Sequence, residues 1–375
     1  MKTPVFCGRR TYGTSILRTL TARLMSHTIH IVWVAGVLLS LLCACGKSGP
    51  ADGERKPTGG VDFGGGGGGG QSTQKVSLRV ASFNILKPEG RRSEMSLDNK
   101  AVGTALGRCI EAAQAQIVAF NELDANCIPG GKYALPSYCN SLPASWIWRL
   151  RWPNDIKSDG TVGYSYANGY AYDSDVLREE ERGYVWLAKE NLRYFSEPND
   201  AYLKVGSPER TCIFVRFTYI KTGAQFWFFI THLPTSGQGG GEMMAANVNR
   251  LASQKGGGFP QILCGDMNSA PGSNVAPYNK LKTYWRDAYE TVSTYSQIGE
   301  FATYSGTLSG SSGNYEKHYS IQTFTRDHPE RRIDHIMTHG VCAATTYETV
   351  WTTYKVNGEA WCPSDHLPVV ANIEF

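Results

Sequence analysis

From Val76 onward, short apolar runs alternate with polar, glycine-containing breaks. Leu78 to Phe83 (LRVASF) alternates its side chains with the two-residue period of a half-buried strand, and Gln116 to Phe120 is a short run of the buried type. Thr211 to Tyr219 is β-branched and aromatic, and Gln225 to Thr231 (QFWFFIT), Gln261 to Cys264, Ile333 to Met337 and Val369 to Phe375 continue the series. Gly169 to Tyr172 reads as another strand. Two stretches carry the helical period instead: Lys100 to Ala115, with Val102, Leu106, Ile110 and Ala113 on one face behind Ser96-Leu97-Asp98, and Glu242 to Ser253. Strands with intervening helices predict a β-sandwich flanked by helices, an α+β or α/β architecture, with loops at strand ends as the natural place for a site. Residues 76–375 show no composition break or internal repeat, so they read as one domain.

The first 75 residues have a different pattern. Ile29 to Cys45 is an apolar run behind Arg9, Arg10, Arg18 and Arg23, the order of a secretory signal, and it is short for a membrane-spanning helix. It ends in Leu42-Cys43-Ala44-Cys45-Gly46, which resembles a bacterial lipobox and implies cleavage before Cys45 and acylation there. A start at Met25 instead of Met1 would give the signal a more ordinary length. Residues 46–75, with the glycine run Gly64 to Gly70, cannot bury enough surface to fold and read as a disordered tether. The expected organisation is a signal peptide with lipobox over 1–45, a Gly-rich tether over 46–75 and a catalytic domain over 76–375. The protein is then exported, held to a bacterial membrane by its lipid, and monomeric.

Composition bounds the partners. With 41% hydrophobic and 19% charged residues the chain is globular, and a net charge of +4 gives no strongly basic nucleic-acid footprint, although a local basic cleft stays open. Setting Cys7, Cys43 and Cys45 aside leaves Cys109, Cys127, Cys139, Cys212, Cys264, Cys342 and Cys362, with no CxxC pair to suggest a zinc cluster. An exported location permits a disulfide or two among them. Cys264, inside a strand-like run, reads as a small buried hydrophobe.

A recurring arrangement carries the chemistry: an apolar run ends and Asn, Asp, Glu or His follows at once. It occurs at Ser82-Phe83-Asn84, Phe120-Asn121-Glu122, Ile230-Thr231-His232, Leu263 to Asn268 (LCGDMN), Arg332-Ile333-Asp334-His335 and Ser364-Asp365-His366. Carboxylates are seldom buried without a partner, so a core explanation fits this repetition poorly. Taken together and in this order, the segments resemble the endonuclease/exonuclease/phosphatase superfamily, the DNase I-like fold, with Gly-Asp-x-Asn followed by Ser-Asp-His near the chain end as its most diagnostic part. The resemblance covers 76–375. It implies a four-layer α/β/β/α arrangement, two packed mixed β-sheets flanked by helices, with a catalytic cleft at one end of the sandwich.

Hydrolysis of a phosphate ester needs a hard cation, donors to the non-bridging oxygens and a base for water. Carboxylate and amide oxygens suit Mg2+, or Mn2+ or Ca2+. Glu122 and Asn84 are the first metal-ligand candidates, and the resemblance adds Asp365. His366 is the candidate base, with Asp334 holding its tautomer. The resemblance gives Asp266 and Asn268, two apart on one strand end, the positioning of water and phosphate, and His232 a hydrogen bond to the phosphate. Asn121 stands where the family usually has Gln. The resemblance implies a phosphate-contacting position for Tyr164 or Asn168, and Arg210 resembles an arginine near the substrate. The plain alternatives are a turn-capping role for Asn84 and a surface role for Arg210. His335, His318, His328 and His339 match no family position and read as surface or loop histidines.

The substrate is less determined, because this scaffold serves several phosphoesters. Phe195 to Pro198 and Gly265 to Pro271 resemble the magnesium-dependent endonuclease-like branch, which favours a nuclease-like phosphodiesterase acting on nucleic acid. Arg149, Arg151, Arg326, Arg331 and Arg332 are available to line a cleft. The membrane tether and the exposed-looking Trp146, Trp148 and Trp152 suggest a phosphomonoesterase or sphingomyelinase-like lipid-headgroup hydrolase instead. A non-catalytic surface-binding lipoprotein is the third reading, opposed by the intact acidic and histidine set.

Overall fold

The computed structural model describes residues 75–86, 99–152, 155–156, 162–163, 167–187, 192, 194–195, 210–299, 302–305, 321, 324, 329–356 and 358–375. The signal, lipobox and tether readings, Cys45, Tyr164, Arg326, His318 and His328 lie outside the described residues.

Two seven-stranded sheets form the domain. The first runs in the order Gln297–Ile298, Ala343–Thr349, Val369–Glu374, Ser77–Asn84, Ile117–Leu123, Ala167–Asp173 and Trp146–Trp152. The second runs Arg286–Asp287, Asp334–His339, Gln261–Asp266, Gln225–Thr231, Thr211–Tyr219, Leu177–Trp186 and Tyr194–Phe195. Both are mixed: Ser77–Asn84 lies parallel to Ile117–Leu123 but antiparallel to Val369–Glu374, and Gln225–Thr231 lies parallel to Gln261–Asp266 but antiparallel to Thr211–Tyr219.

The side-chain pattern explains the layering. Phe226, Phe228 and Ile230 point into a core shared with Val80, Ile117 and Tyr170 of the other sheet, while Trp227 and Phe229 point outward beneath the helix Gly241–Lys255 and its Met244, Val248 and Leu251. The outer face of the first sheet, through Phe83, Val118 and Phe120, packs under Val102, Leu106 and Ile110 of the helix Asn99–Ala113. Helix, sheet, sheet and helix therefore stack around three apolar layers, and QFWFFIT lacks alternation because both its faces are covered.

Several expectations change here. The seven cysteines of the domain are buried thiols rather than disulfide partners, and burial pushes Cys109 up to about 11 and Cys139 and Cys362 up to about 12. Trp152 is packed between Tyr170 and Tyr184 in the core, so it offers nothing to a lipid surface; Trp146 and Trp148 are half-buried. His335 is fully buried, not a surface histidine, and His339 stacks on Tyr284 with ring centroids 3.8 Å apart. Arg332 does not line a cleft: it is buried with Nη1 2.6 Å from Asp287 Oδ2, which also accepts from the Tyr278 hydroxyl at 2.8 Å and faces His335 Nδ1 at 3.1 Å.

Burial opposes ionisation of Asp287, but Arg332 and then His335 outweigh it and hold the carboxyl well below the usual range. A depressed carboxyl stabilises the fold above its unfolded value of about 3.9 and loses that contribution only as pH falls through the lower folded value. Asp287→Asn leaves Arg332 buried without its counter-charge. Urea unfolding at neutral pH is expected to show a loss of about 3–5 kcal/mol, shrinking in strong acid; an unchanged midpoint at neutral pH would contradict the pairing.

Candidate active site

Strand pairing brings the polar segments to one end of the sandwich. The parallel strands Ser77–Asn84 and Ile117–Leu123 end side by side with Asn84 opposite Asn121, and in the other sheet Asp266 is paired with Asp334. Ser364 to His366 directly precedes Val369, the partner of Ser82, so this turn lands beside Asn84. Ser364 Oγ fixes it by donating to Asn84 O at 2.8 Å and accepting from His366 N at 3.1 Å.

Asn84 is the hub. Its Nδ2 donates to Asp266 Oδ2 at 3.0 Å and Glu122 Oε1 at 3.2 Å and lies 3.4 Å from His366 Nε2, while its Oδ1 accepts from Leu86 N at 3.0 Å. His366 Nδ1 is 2.7 Å from Asp334 Oδ2. A carboxylate oxygen only accepts, so Nδ1 carries the hydrogen and Nε2 faces the site, 3.8 Å from Asp266 Oδ2 and 3.9 Å from Asp365 Oδ1. His232 Nε2 lies 3.4 Å from Asp266 Oδ2. Glu122, His232 and Asp266 form one group able to hold a metal ion, and Asp266, Asp334 and His366 a second.

Local backbone is shaped for this convergence. Gly265 adopts φ +144°, and a Cβ there would meet Thr231 O at 1.8 Å, so only glycine lets the strand bearing Asp266 approach the one leading to His232. Glu122 holds φ 57° and Asn268 φ 47°; the left-handed region costs a Glu about 1 kcal/mol or more, a strain characteristic of sites whose surroundings fix them. Asn268 is not on the strand with Asp266. It lies in the following turn, where its N–H donates to Asp266 Oδ1 at 2.8 Å and its Nδ2 to Leu233 O at 2.8 Å.

One sequence candidate points elsewhere. Asn168 is fully buried between the sheets, accepting from Asn121 Nδ2 at 2.7 Å and donating to Thr211 Oγ1 at 3.5 Å, which takes its amide away from a phosphate. Asn121, one methylene shorter than the family's usual Gln, still spans the sandwich: its Oδ1 accepts from Asp266 N at 2.8 Å and its Nδ2 also reaches Thr231 O at 3.2 Å. Arg210 is nearly buried, its Nη2 donating to Gln238 Oε1 at 3.0 Å, and its charge bears on both Glu122 and His232.

Thr303 was not legible as a site residue. Its hydroxyl donates to Asp334 Oδ2 at 2.7 Å and accepts from Ile333 N at 3.1 Å and Asp334 N at 3.0 Å, fixing the carboxylate that holds His366. Tyr304 beside it places its ring 5.0 Å from that of His366. A Thr-Tyr pair gives no pattern by itself, because the partner is some thirty residues away.

The electrostatics follow from crowding. Burial and the neighbouring Asp365 push Glu122 up, and burial and Asp334 push Asp266 up to about 7. Burial lowers His232 well below the usual range, helped by Arg210 and His366. Burial also opposes charge on His366, yet Asp334, Asp365 and Asp266 raise it well above the usual range.

Comparison with known proteins agrees with this arrangement. The Endonuclease/Exonuclease/phosphatase family matches residues 81–366. An endonuclease/exonuclease/phosphatase family protein from Bacteroides thetaiotaomicron shares 24% identity over 81% of this chain and 97% of its own, with a TM-score of 0.59. A mannosyl-6-phosphatase from the same organism shares 24% over 80% of this chain and 100% of its own, with a TM-score of 0.57. A Bacteroides vulgatus family protein shares 19% over 80% and 99%, with a TM-score of 0.59. No curated protein sequence matches. With the family pattern spanning Ala81 to His366 and every one of its polar segments gathered at one end of the sandwich, the chain belongs to the Endonuclease/Exonuclease/phosphatase family and is a phosphoesterase.

Proposed function

We propose that the chain is a divalent-metal-dependent phosphoester hydrolase in which Asp266 activates water while His366 and His232 hold the phosphoryl oxygens. The convergence of Asp266, Glu122 and His366 on the Asn84 amide is the observation that carries this reading.

The donor set fits a hard cation. Glu122, Asp266, Asp334 and Asp365 gather carboxylates, and burial followed by their mutual repulsion raises Glu122 and Asp266; oxygen donors of this kind suit Mg2+, Mn2+ or Ca2+. Glu122 and Asp365 would hold it; Asn84 joins them only by turning its oxygen inward and giving up the bond from Leu86 N. When bound, the cation supplies neutralising charge to the phosphate and the leaving oxygen.

The chain's own residues supply the rest. His366 Nε2 faces Asp266 and Asp365 oxygens, surroundings that keep a proton on it, so it donates to a phosphoryl oxygen while Asp334 and Thr303 fix its ring. Asp266, poised at about 7, accepts the proton of water near neutral pH. This moves the base from His366, where the sequence places it, to Asp266. Burial, with Arg210 and His366, holds His232 neutral despite the Asp266 carboxylate 3.4 Å away, and it contributes a hydrogen bond.

A small phosphomonoester is the substrate class supported best. Three of the arginines read as lining a polynucleotide groove are engaged by the protein itself: Arg332 with Asp287, Arg149 3.7 Å from Glu179, and Arg331 Nη1 with Ser305 O at 3.0 Å. The fold shared with a mannosyl-6-phosphatase points the same way. A nuclease-like phosphodiesterase is the second reading, favoured by the Gly265-Asp266-x-Asn268 turn. Full-length protein with Mg2+ or Mn2+ is expected to release phosphate from p-nitrophenyl phosphate or a hexose 6-phosphate, abolished by EDTA. Turnover only of bis-p-nitrophenyl phosphate, DNA or RNA would select the second reading, turnover only of sphingomyelin a headgroup hydrolase, and no EDTA-sensitive turnover of any would sink the proposal.

A further inference from the structure

The buried cluster behind the site holds a residue the reaction does not touch. Asp334 and His335 are consecutive in one strand, so their side chains leave opposite faces. Asp334 reaches His366 on the inner side. On the outer side His335 Nε2 lies 2.9 Å from Ser269 O. A carbonyl oxygen only accepts, so Nε2–H donates to it.

Ser269 follows Asn268 in a turn where Asn268 and Asn274 both adopt the left-handed conformation, at φ 47° and 46°. Asn274 Nδ2 donates to Asn268 O at 2.7 Å, and Tyr278 N to Ser269 Oγ at 2.8 Å. The tie from His335, with the bond from Met267 N to Ile333 O at 2.8 Å, joins this turn to the strand bearing Asp334. The imidazole is itself oriented by Asp287 Oδ2 at 3.1 Å and by the Tyr278 ring, 5.0 Å between centroids.

We infer that His335, oriented by Asp287, is a positioning residue that sets the Asn268 turn and the Asp334 strand at a fixed separation, so that Asp266, Asn268 and the Asp334–His366 pair meet substrate in register. The inference rests on the proposed roles of these residues in phosphoester hydrolysis. His335 touches neither substrate nor the ligand candidates Glu122, Asn84 and Asp365; it acts through the carbonyl of Ser269.

Two variants of the full-length protein separate positioning from packing. His335→Gln retains an amide donor able to reach Ser269 O, and His335→Phe keeps a ring against Tyr278 without a donor. On p-nitrophenyl phosphate and its bis ester with Mn2+, assayed well below the unfolding temperature and corrected for folded fraction by circular dichroism, His335→Phe is expected to lose kcat by about 30-fold with KM within about threefold, and His335→Gln to recover most of it. Calorimetry is expected to show unchanged Mn2+ affinity in both. The low-field proton resonance of His366 Nδ1–H, assigned by its loss in His366→Gln, is expected to shift in His335→Phe and hold in His335→Gln. Equal kcat and an unmoved resonance in all three proteins would overturn the inference, as would equal losses in the two variants. A wild type that hydrolyses neither probe would instead count against the proposed function, and the resonance alone would then decide the positioning role.

Discussion

Asp266→Asn is expected to lower kcat by about 10²- to 10⁴-fold, or ~3–5 kcal/mol of transition-state stabilisation. The substitution keeps the side chain's shape and its Oδ1 still accepts from Asn268 N, while the Oδ2 that accepted from Asn84 Nδ2 becomes an amide nitrogen, so that bond is lost together with the proton acceptor. The pH profile carries the sign. A base works deprotonated, so wild-type kcat/KM rises with pH through Asp266's value of about 7, or lower once a bound cation favours the ionised form. The residual activity of Asp266→Asn is expected to lack this acid limb. Retention of both rate and limb would return the base to His366.

The second large effect concerns Glu122. Its carboxylate is raised by burial and by Asp365, so at neutral pH its charge opposes folding of the metal-free protein, while a raised carboxyl favours stability only at lower pH, where it is protonated. Neutral Glu122→Gln removes that repulsion and a ligand together. Calorimetric scans are therefore expected to show a higher midpoint than wild type without metal but a smaller rise on adding Mn2+, with metal affinity at least about tenfold weaker and turnover lost in proportion. A full Mn2+-induced rise in Glu122→Gln would place the cation elsewhere.

The strands that sequence reveals are those with continuous burial: Thr211–Tyr219 and Gln225–Thr231 match to the residue. The helix read from Lys100 to Ala115 is Asn99–Ala113, because Gln114 turns left-handed at φ 48° and ends it. Strands that went unread are polar on one face and irregular. Leu177–Trp186 (LREEERGYVW) carries charges through its middle, and a bulge between Glu179 and Glu181 breaks the two-residue period. Ala343–Thr349 is half exposed and also irregular, between Ala344 and Thr346.

In the site, residues that end apolar runs were legible because a strand end followed by a carboxylate or amide is a local pattern. Thr303 and the outer-face role of His335 were not, since their partners, Asp334 and Ser269, are distant in sequence and joined only by the fold. Arg332, read as lining a cleft, and Asn168, given a phosphate contact by the resemblance, differ for one reason: only the pairing shows that Asp287 and Asn121 already engage them.

The account stands on one comparison, the initial rate of p-nitrophenyl phosphate and bis-p-nitrophenyl phosphate hydrolysis by full-length wild type and Asp266→Asn in Mn2+, before and after EDTA and after excess Mn2+. The predicted result is wild-type turnover that stops with EDTA and resumes with metal, beside an Asp266→Asn protein that binds Mn2+ and scarcely turns over. Turnover untouched by EDTA, or equal in the two proteins, would contradict a metal-dependent site centred on Asn84 and Asp266.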